Sequence, residues 1–189
     1  MDLLPIIQKR CSCRRYDQTR TVERELIDKV LEAGRLAPSG KNTQPWHFYV
    51  ITNAEKIKEL GKAIEPGVIK DVPKMAGAAA EKGVSNIVFY DAPVIVNVSM
   101  NKKNSIDTRQ MDIGLTVENM ILMAETLGLG TLPVYNSKWY GQDLITQTCK
   151  IPEEEEFMLT LCIGYIDPAQ PRTVRPRKEL SQIATYVDL

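Results

Sequence analysis

An α/β or α+β domain, a sheet packed with helices, is what this chain predicts. Segments with apolar residues at helical spacing alternate with short, nearly continuous apolar or aromatic runs that suit buried strands. No segment repeats and no tract is of low complexity. The 189 residues, 43% hydrophobic, suffice for one sizeable core, so residues 1–189 read as a single domain.

The opening "LLPIIQKR" reads as a short helix running into "CSCRRYD". Residues 21–37, "TVERELIDKVLEAGRLA", form a clear helix. Thr21 is placed to cap it, Glu23 and Glu25 favour its first turn, and Leu26, Ile27, Val30, Leu31 and Gly34 make one apolar stripe. It stops near Ala37, because the residue before Pro38 resists the α region. "WHFYVIT" is a strand, aromatic and β-branched throughout, and "NAEKIKELGKAI" the next helix, with Asn53 as cap. Residues 65–90 are rich in Gly, Lys and Ala with weak periodicity, and are expected as a helical lid or excursion. "APVIVNVSM" is a buried strand and "NKKNSIDTRQM" a polar connector.

In "DIGLTVENMILMAETLGLG", Ile113, Leu115, Val117, Met120, Ile121, Leu122, Met123, Ala124 and Leu127 leave almost no polar face. Such a helix belongs at the centre of the core or across a subunit interface. Gly128 is placed to end it. "TLPVY" is then a short strand, "GQDLITQTCKI" a helix, "FMLTLCIGY" a buried strand and "DPAQPRTVRPRKEL" an extended basic tail.

Several function classes are disfavoured. Lys plus Arg (24) balances Asp plus Glu (24), so no global field favours nucleic acid or an anionic membrane. The N-terminal apolar run is too short and wrongly flanked for a signal peptide, and none approaches the roughly 20 residues of a membrane span. Cys11, Cys13, Cys149 and Cys162 lack zinc spacing and read as reduced and structural, with no metal, in a cytoplasmic protein. There is no dinucleotide or phosphate-loop glycine fingerprint and no nucleophile elbow. The single histidine, His47, lies in an apolar strand, where a packed or hydrogen-bonded role suits it best.

Three polar clusters remain. In "RCSCRRY", Arg10, Ser12 and Arg14 alternate and share one side of an extended backbone, which suits gripping an anion; alone, the run equally suits a solvated basic turn. In "APSGKNTQPW", Pro38, Ser39, Asn42 and Gln44 offer donors and acceptors for the edge of a flat heterocycle, or a loop satisfying its own backbone. In "RTVRPRKEL", Arg175 and Arg177 flank Pro176, as a charged tail also would.

Taken together these motifs resemble the FMN-dependent nitroreductase family. The family's basic-x-Ser-x-basic-x-aromatic pattern is matched by Arg10, Ser12, Arg14 and Tyr16, and its Ala-Pro-Ser-x-x-Asn-x-Gln-Pro-Trp block is complete over residues 37–46. Asp112, Gly114 and Asn119, the Gly128-Leu129-Gly130 end, and Arg175 with Arg177 follow in the family's order. The resemblance spans nearly the whole chain and is weakest over residues 67–90. It implies an α+β fold of the α/β sandwich type, with a central, mainly antiparallel sheet flanked by helices, in an intertwined homodimer with two FMN sites at the interface.

By the same resemblance Arg10 and Ser12 would bind the FMN phosphate and ribityl chain, and Arg14 the pyrimidine end of the ring. Pro38, Ser39, Asn42 and Gln44 would reach the other subunit's flavin, and Arg175 and Arg177 would close on the phosphate. Pro133, Val134 and Tyr135 would lie against the flavin near N5. Cys11 and Cys13 sit between the motif side chains, where other residue types are more usual, close to the phosphate and open to oxidation. Lys70 and Lys74 are alternative candidates for a lysine near a flavin carbonyl. Tyr135, Trp139 and Tyr140 are stacking candidates or plain surface aromatics.

The expected activity is oxidation of NADH or NADPH with reduction of nitroaromatics, quinones or other flat acceptors by a ping-pong mechanism. Chemistry would reside at flavin N5, with Arg14 as electrostatic stabiliser and no catalytic side chain. Reductive dehalogenation or flavin fragmentation on the same fold, a non-catalytic FMN-binding sensory module and a flavin-free anion-binding protein are the alternatives.

Overall fold

Two strands with almost no exposed residue organise the chain. In the computed structural model, which describes residues 2–81, 83–103, 108–169 and 172–187, β2 (Val94–Asn101) and β4 (Glu155–Tyr165) pair at the centre of a four-stranded sheet. β1 (Trp46–Ile51) flanks β2, and β3 (Leu129–Val134) flanks β4. Every pairing within the sheet is antiparallel, so of the two classes the alternation allowed the fold is α+β.

Helices cover both faces, which is why the central strands read as nearly continuous apolar runs rather than as alternating ones. Val94, Val96, Val98 and Met100 of β2 join the core under α2 (Arg24–Arg35) and α5 (Arg109–Thr126). Ile95 turns to the opposite core, under α3 (Ala54–Asp71) and α6 (Asn136–Cys149). Asn97 of the same strand is buried but satisfied: its amide carbonyl accepts from Thr160 Oγ1 at 2.7 Å and its Nδ2 faces Cys149 Sγ at 3.5 Å. The expected stripe of α2 holds, with Ile27, Val30 and Gly34 buried. Gly34 is needed there, because a Cβ would stand 2.7 Å from Met120 Cγ of α5.

Local expectations met different fates. Asn53 caps α3, its side chain accepting from the Lys56 amide at 3.0 Å. Thr21 does not cap α2; Glu23 holds that position, and its carboxylate instead accepts the Tyr165 hydroxyl at 2.7 Å. Gly128, at φ +77, ends the turn after α5 as expected. α6 begins at Asn136, earlier than read, anchored by the Ser137 hydroxyl donating to the Val134 carbonyl at 2.7 Å.

The middle region is only partly an excursion. α3 continues through Pro66 to Asp71, and α1 (Leu4–Lys9) and α4 (Lys74–Ala80) are short outer helices. Residues 84–89 return to the core, burying Val84, Ile87, Val88 and Phe89. A tight turn allows this: Asn86 Oδ1 accepts from the amides of Val88 and Phe89 at 2.9 and 3.0 Å. Of the polar connector after β2, residues 104–107 lie outside the described residues.

α5 does not fill the centre of the single-chain core. One side packs on α2 and the sheet, but Met111 and Leu115 on the other are 65% and 47% exposed. Leu4 and Ile7 of the neighbouring α1 are exposed as well.

Candidate functional site

The N-terminal basic segment is built into the sheet. After α1 the backbone extends along β3, Ser12 forming a parallel bridge with Thr131 and the Cys13 amide donating to the Thr131 carbonyl at 2.8 Å. Tyr16, buried, bridges to Ile166, and its hydroxyl donates to the Cys13 carbonyl at 3.3 Å. Gly130 makes this approach possible: a Cβ there would lie 2.8 Å from Cys13 Cβ and 2.6 Å from Ile166 Cγ1. The expected alternation holds only in part: Cys13 is buried and Arg10, Ser12 and Arg14 are half-buried, but Cys11 and Arg15 are half-buried as well and Tyr16, in step with Ser12 and Arg14, is buried. Burial raises the Cys13 thiol pKa to about 11, so it is a neutral packing group at ordinary pH.

Arg14 lies over the ring of Tyr90 at 6.0 Å from its centroid. Tyr90 and Asp91 are both left-handed, each at φ 55, which few non-glycine residues adopt. Asp91 holds the turn: its carboxylate accepts from the Ser85 amide at 2.7 Å and hydroxyl at 2.8 Å, and its carbonyl from Gln18 Nε2 at 3.0 Å. Below the basic segment β3 ends in half-buried Pro133, buried Val134 and exposed Tyr135.

A residue not singled out in the sequence joins this cluster. Arg172 Nη1 and Nη2 donate to Glu125 at 2.7 and 2.5 Å, in a bidentate pair at the end of α5. Glu125 is buried, Lys9 adds a contact at 3.8 Å, and the Cys11 side chain faces Arg172. Nothing in the "PRTVRPRKEL" run distinguishes Arg172 from its neighbours; its partner lies 47 residues away in sequence. Arg175 and Arg177, the expected pair, are exposed, with Arg177 Nη1 donating to the Arg175 carbonyl at 2.8 Å.

The loop 38–44 sits elsewhere. Its Gly40 amide donates to the Asp112 carboxylate at 3.2 Å, and its Gln44 amide to Ser39 Oγ at 2.9 Å. Lys41, Asn42 and Gln44 all have positive φ (50, 57 and 45), and Pro38, Asn42 and Gln44 are exposed. Asp112 and Glu125 mark opposite ends of α5, about 20 Å apart at 1.5 Å per residue. One chain therefore does not bring the loop and the basic segment together.

The remaining candidates separate. Lys70 and Lys74 are exposed, on α3 and at the start of α4. Tyr135 and Trp139 form an exposed, tilted ring pair with centroids 6.3 Å apart. Tyr140 packs instead against Gly67, where a Cβ would stand 3.1 Å from its ring. His47 stacks on Tyr49 at 4.6 Å and its Nδ1 lies 3.3 Å from Glu155. All four cysteines are free, and among the described residues no cluster could hold a metal. A groove of about 430 Å³ beside Arg15, Tyr90 and Asp167 and one of about 470 Å³ beside Gln44 and Trp46 adjoin the two clusters without containing Arg10 or Ser12.

The nitroreductase family model matches residues 7–165. The chain belongs to the nitroreductase family. A protein of Methanothermobacter thermautotrophicus named for NADH dehydrogenase/NAD(P)H nitroreductase activity is 34% identical over 133 residues, 70% of this chain and 60% of that protein. A 4-nitrobenzoate reductase of Pseudomonas putida is 25% identical over 98% of this chain and 95% of its own. The crystal structure of a nitroreductase with bound FMN from Bacteroides fragilis superposes with a TM-score of 0.79 at 24% identity, covering all of both chains. The antiparallel sheet and its helical layers are thus those of a nitroreductase fold.

Proposed function

We propose that this chain is an FMN-dependent oxidoreductase that takes electrons from NADH or NADPH and passes them to nitroaromatics, quinones or similar flat acceptors. The observation that carries the reading is the parallel bridge of Ser12 to Thr131 of β3, with Arg10 and Arg14 on either side of Ser12 in the chain. It supports a site in which two guanidinium groups and a hydroxyl stand at the margin of a strand whose end presents Pro133, Val134 and Tyr135. The donor set fits FMN: cations and a hydroxyl suit a phosphate, and the buried Arg172 Nε has no hydrogen-bond partner.

Bound FMN would supply hydride exchange at its N5, with donor and acceptor using the same face in turn. The protein's part is orientation and charge. Arg10 and Ser12 would hold the phosphate and ribityl chain, joined by Arg175 and Arg177 from the tail. Arg14 would stabilise negative charge at the pyrimidine end, steadied by Tyr90 beneath it. The backbone of residues 133–135 would shield one face from water. No side chain in the cluster is placed as a general acid, so acceptor protons would come from solvent.

The loop 38–44 enters through a second copy. Exposed Met111 and Leu115 on α5, with Leu4 and Ile7 on α1, supply an apolar face for a homodimer. The separation of about 20 Å along α5 supports a site shared between subunits, with Pro38, Ser39, Asn42 and Gln44 reaching the partner's flavin. Four free thiols favour a reducing, cytoplasmic setting, and among the described residues no helix is long and apolar enough to cross a membrane.

The test is the absorbance spectrum of the purified protein, followed anaerobically. A flavin spectrum bleached by NADH or NADPH and restored by a nitroaromatic or quinone is the expected result, with sedimentation reporting a dimer. A chain that stays colourless after FMN is added back would falsify the reading.

A further inference from the structure

Arg172 is held in a way that uses only part of its guanidinium group. Both terminal nitrogens are committed to Glu125, at 2.7 and 2.5 Å. The Nε is buried without a hydrogen-bond partner, and the side chain facing Arg172 is Cys11, between Arg10 and Ser12 in the chain. As a device for stability alone this is poor. An unpaired buried donor is unfavourable, and Glu125 stands at the carboxyl end of α5, where the peptide dipoles already concentrate negative charge. A pair of apolar side chains would serve a fold at least as well. The arrangement instead aims a donor: Glu125 fixes the plane of the guanidinium and leaves Nε–H for another acceptor. Lys9 and Arg172 both meet the buried Glu125 carboxylate, and Arg10 and Arg14 bracket the Cys11–Cys13 segment in the chain, so cations outnumber that carboxylate and the acceptor is an anion.

We infer that Arg172, oriented by Glu125, is a further anchor for the phosphate-bearing end of the flavin, its Nε donating to an anionic oxygen beside Cys11. The inference rests on the flavin reading above. Glu125 acts through Arg172 and is a positioning residue. The tail is thereby fixed where it leaves the domain, ahead of Arg175 and Arg177.

The test compares FMN with riboflavin, which lacks only the phosphate. The full chain, freed of flavin, is titrated with each and binding is read from flavin fluorescence. In the double variant Arg172→Met with Glu125→Gln, both charges of the pair are removed together and no carboxylate is stranded. The FMN dissociation constant rises about tenfold or more while that of riboflavin stays within about twofold. Arg172→Lys keeps the charge opposite Glu125 but not the Nε fork, and shows the same selective loss should the double variant fold poorly. Thermal unfolding checks each fold. Equal weakening of both flavins, or an unchanged ratio, overturns the assignment. A wild-type chain that binds neither flavin refutes the flavin reading itself, whereas a wild type that prefers FMN, with the ratio unaltered in both variants, refutes only the role of Arg172.

Discussion

The segment 10–16 and the loop 38–44 both carry polar family motifs, yet they are built in opposite ways. The first is threaded beside β3, held by two bridges and backed by buried Cys13 and Tyr16. The second is largely exposed, with three residues at positive φ, tied to α5 through the Gly40 amide. A segment inside the sheet is positioned by its own chain. A strained, exposed loop keeps its shape at some cost, on the order of 1 kcal/mol for each left-handed residue, and such a cost persists where a function needs that shape. The difference teaches that one cluster of candidate residues is ordered by the sheet, while the other lies on a loop that leaves most of its polar side chains exposed.

The sharpest way to break the contrast is at Gly130. In Gly130→Ala the new Cβ would meet Cys13 Cβ at 2.8 Å and Sγ at 2.9 Å, on a chain already pinned by the Thr131 carbonyl. Neither strand can retreat without losing that bond, so about 1–3 kcal/mol of stability should go, as for overpacking elsewhere. Flavin retention should be lost with it, because Arg10 and Ser12 move as the segment lifts. Denaturant unfolding and the visible spectrum of the purified variant check both; a variant as stable and as yellow as the wild type would refute the threading argument.

Raising the pH probes the same contrast more gently. Burial lifts the Cys13 pKa from 9.0 to about 11. Folding therefore favours the neutral thiol, and its contribution is complete below pH 9.0 and lost as the pH climbs through about 11. A shift of that size is worth on the order of 3 kcal/mol at the alkaline end. Buried Cys162 and Tyr16, also raised by desolvation, act in the same direction. In Cys13→Ala the fall in unfolding free energy across that range should be visibly shallower. An identical slope would show that the segment already opens at high pH. The loop 38–44 has no buried titratable group to contribute.

What could be read in advance follows the same division. β2 and β4 were legible because a strand covered on both faces is apolar at nearly every position, and α2 because its stripe had helical spacing. The left-handed end at Gly128 and the Asn53 cap were legible because single residue types dominate those positions. Residues 84–89 were not, since their burial depends on Asn86 satisfying two amides in a turn that has no period. Thr21 misled because the chain gave the cap position to Glu23, whose carboxylate is bound by Tyr165 of a distant strand. The segment 10–16 was readable as an extended run, but its dependence on Gly130 was not. Arg172 stayed hidden because only the fold brings it to Glu125.

The smallest expected effect on stability is also the most discriminating. Ser39 Oγ accepts the Gln44 amide at 2.9 Å and closes the loop on itself. Because the bond is exposed, water can replace the hydroxyl in Ser39→Ala, and the stability change should stay near 0.5 kcal/mol, the low end for a hydrogen bond. The loop would then lose a restraint on Lys41, Asn42 and Gln44, whose left-handed conformations lack the freedom of glycine. If the loop serves a flavin bound mainly by a second copy, affinity should fall several-fold, about 1 kcal/mol, while the melting temperature hardly moves. Calorimetry and a flavin titration on the same sample separate the two. A melting temperature that falls with affinity untouched would make the loop a structural connector, and the polar side chains of residues 38–44 would then serve only their own backbone.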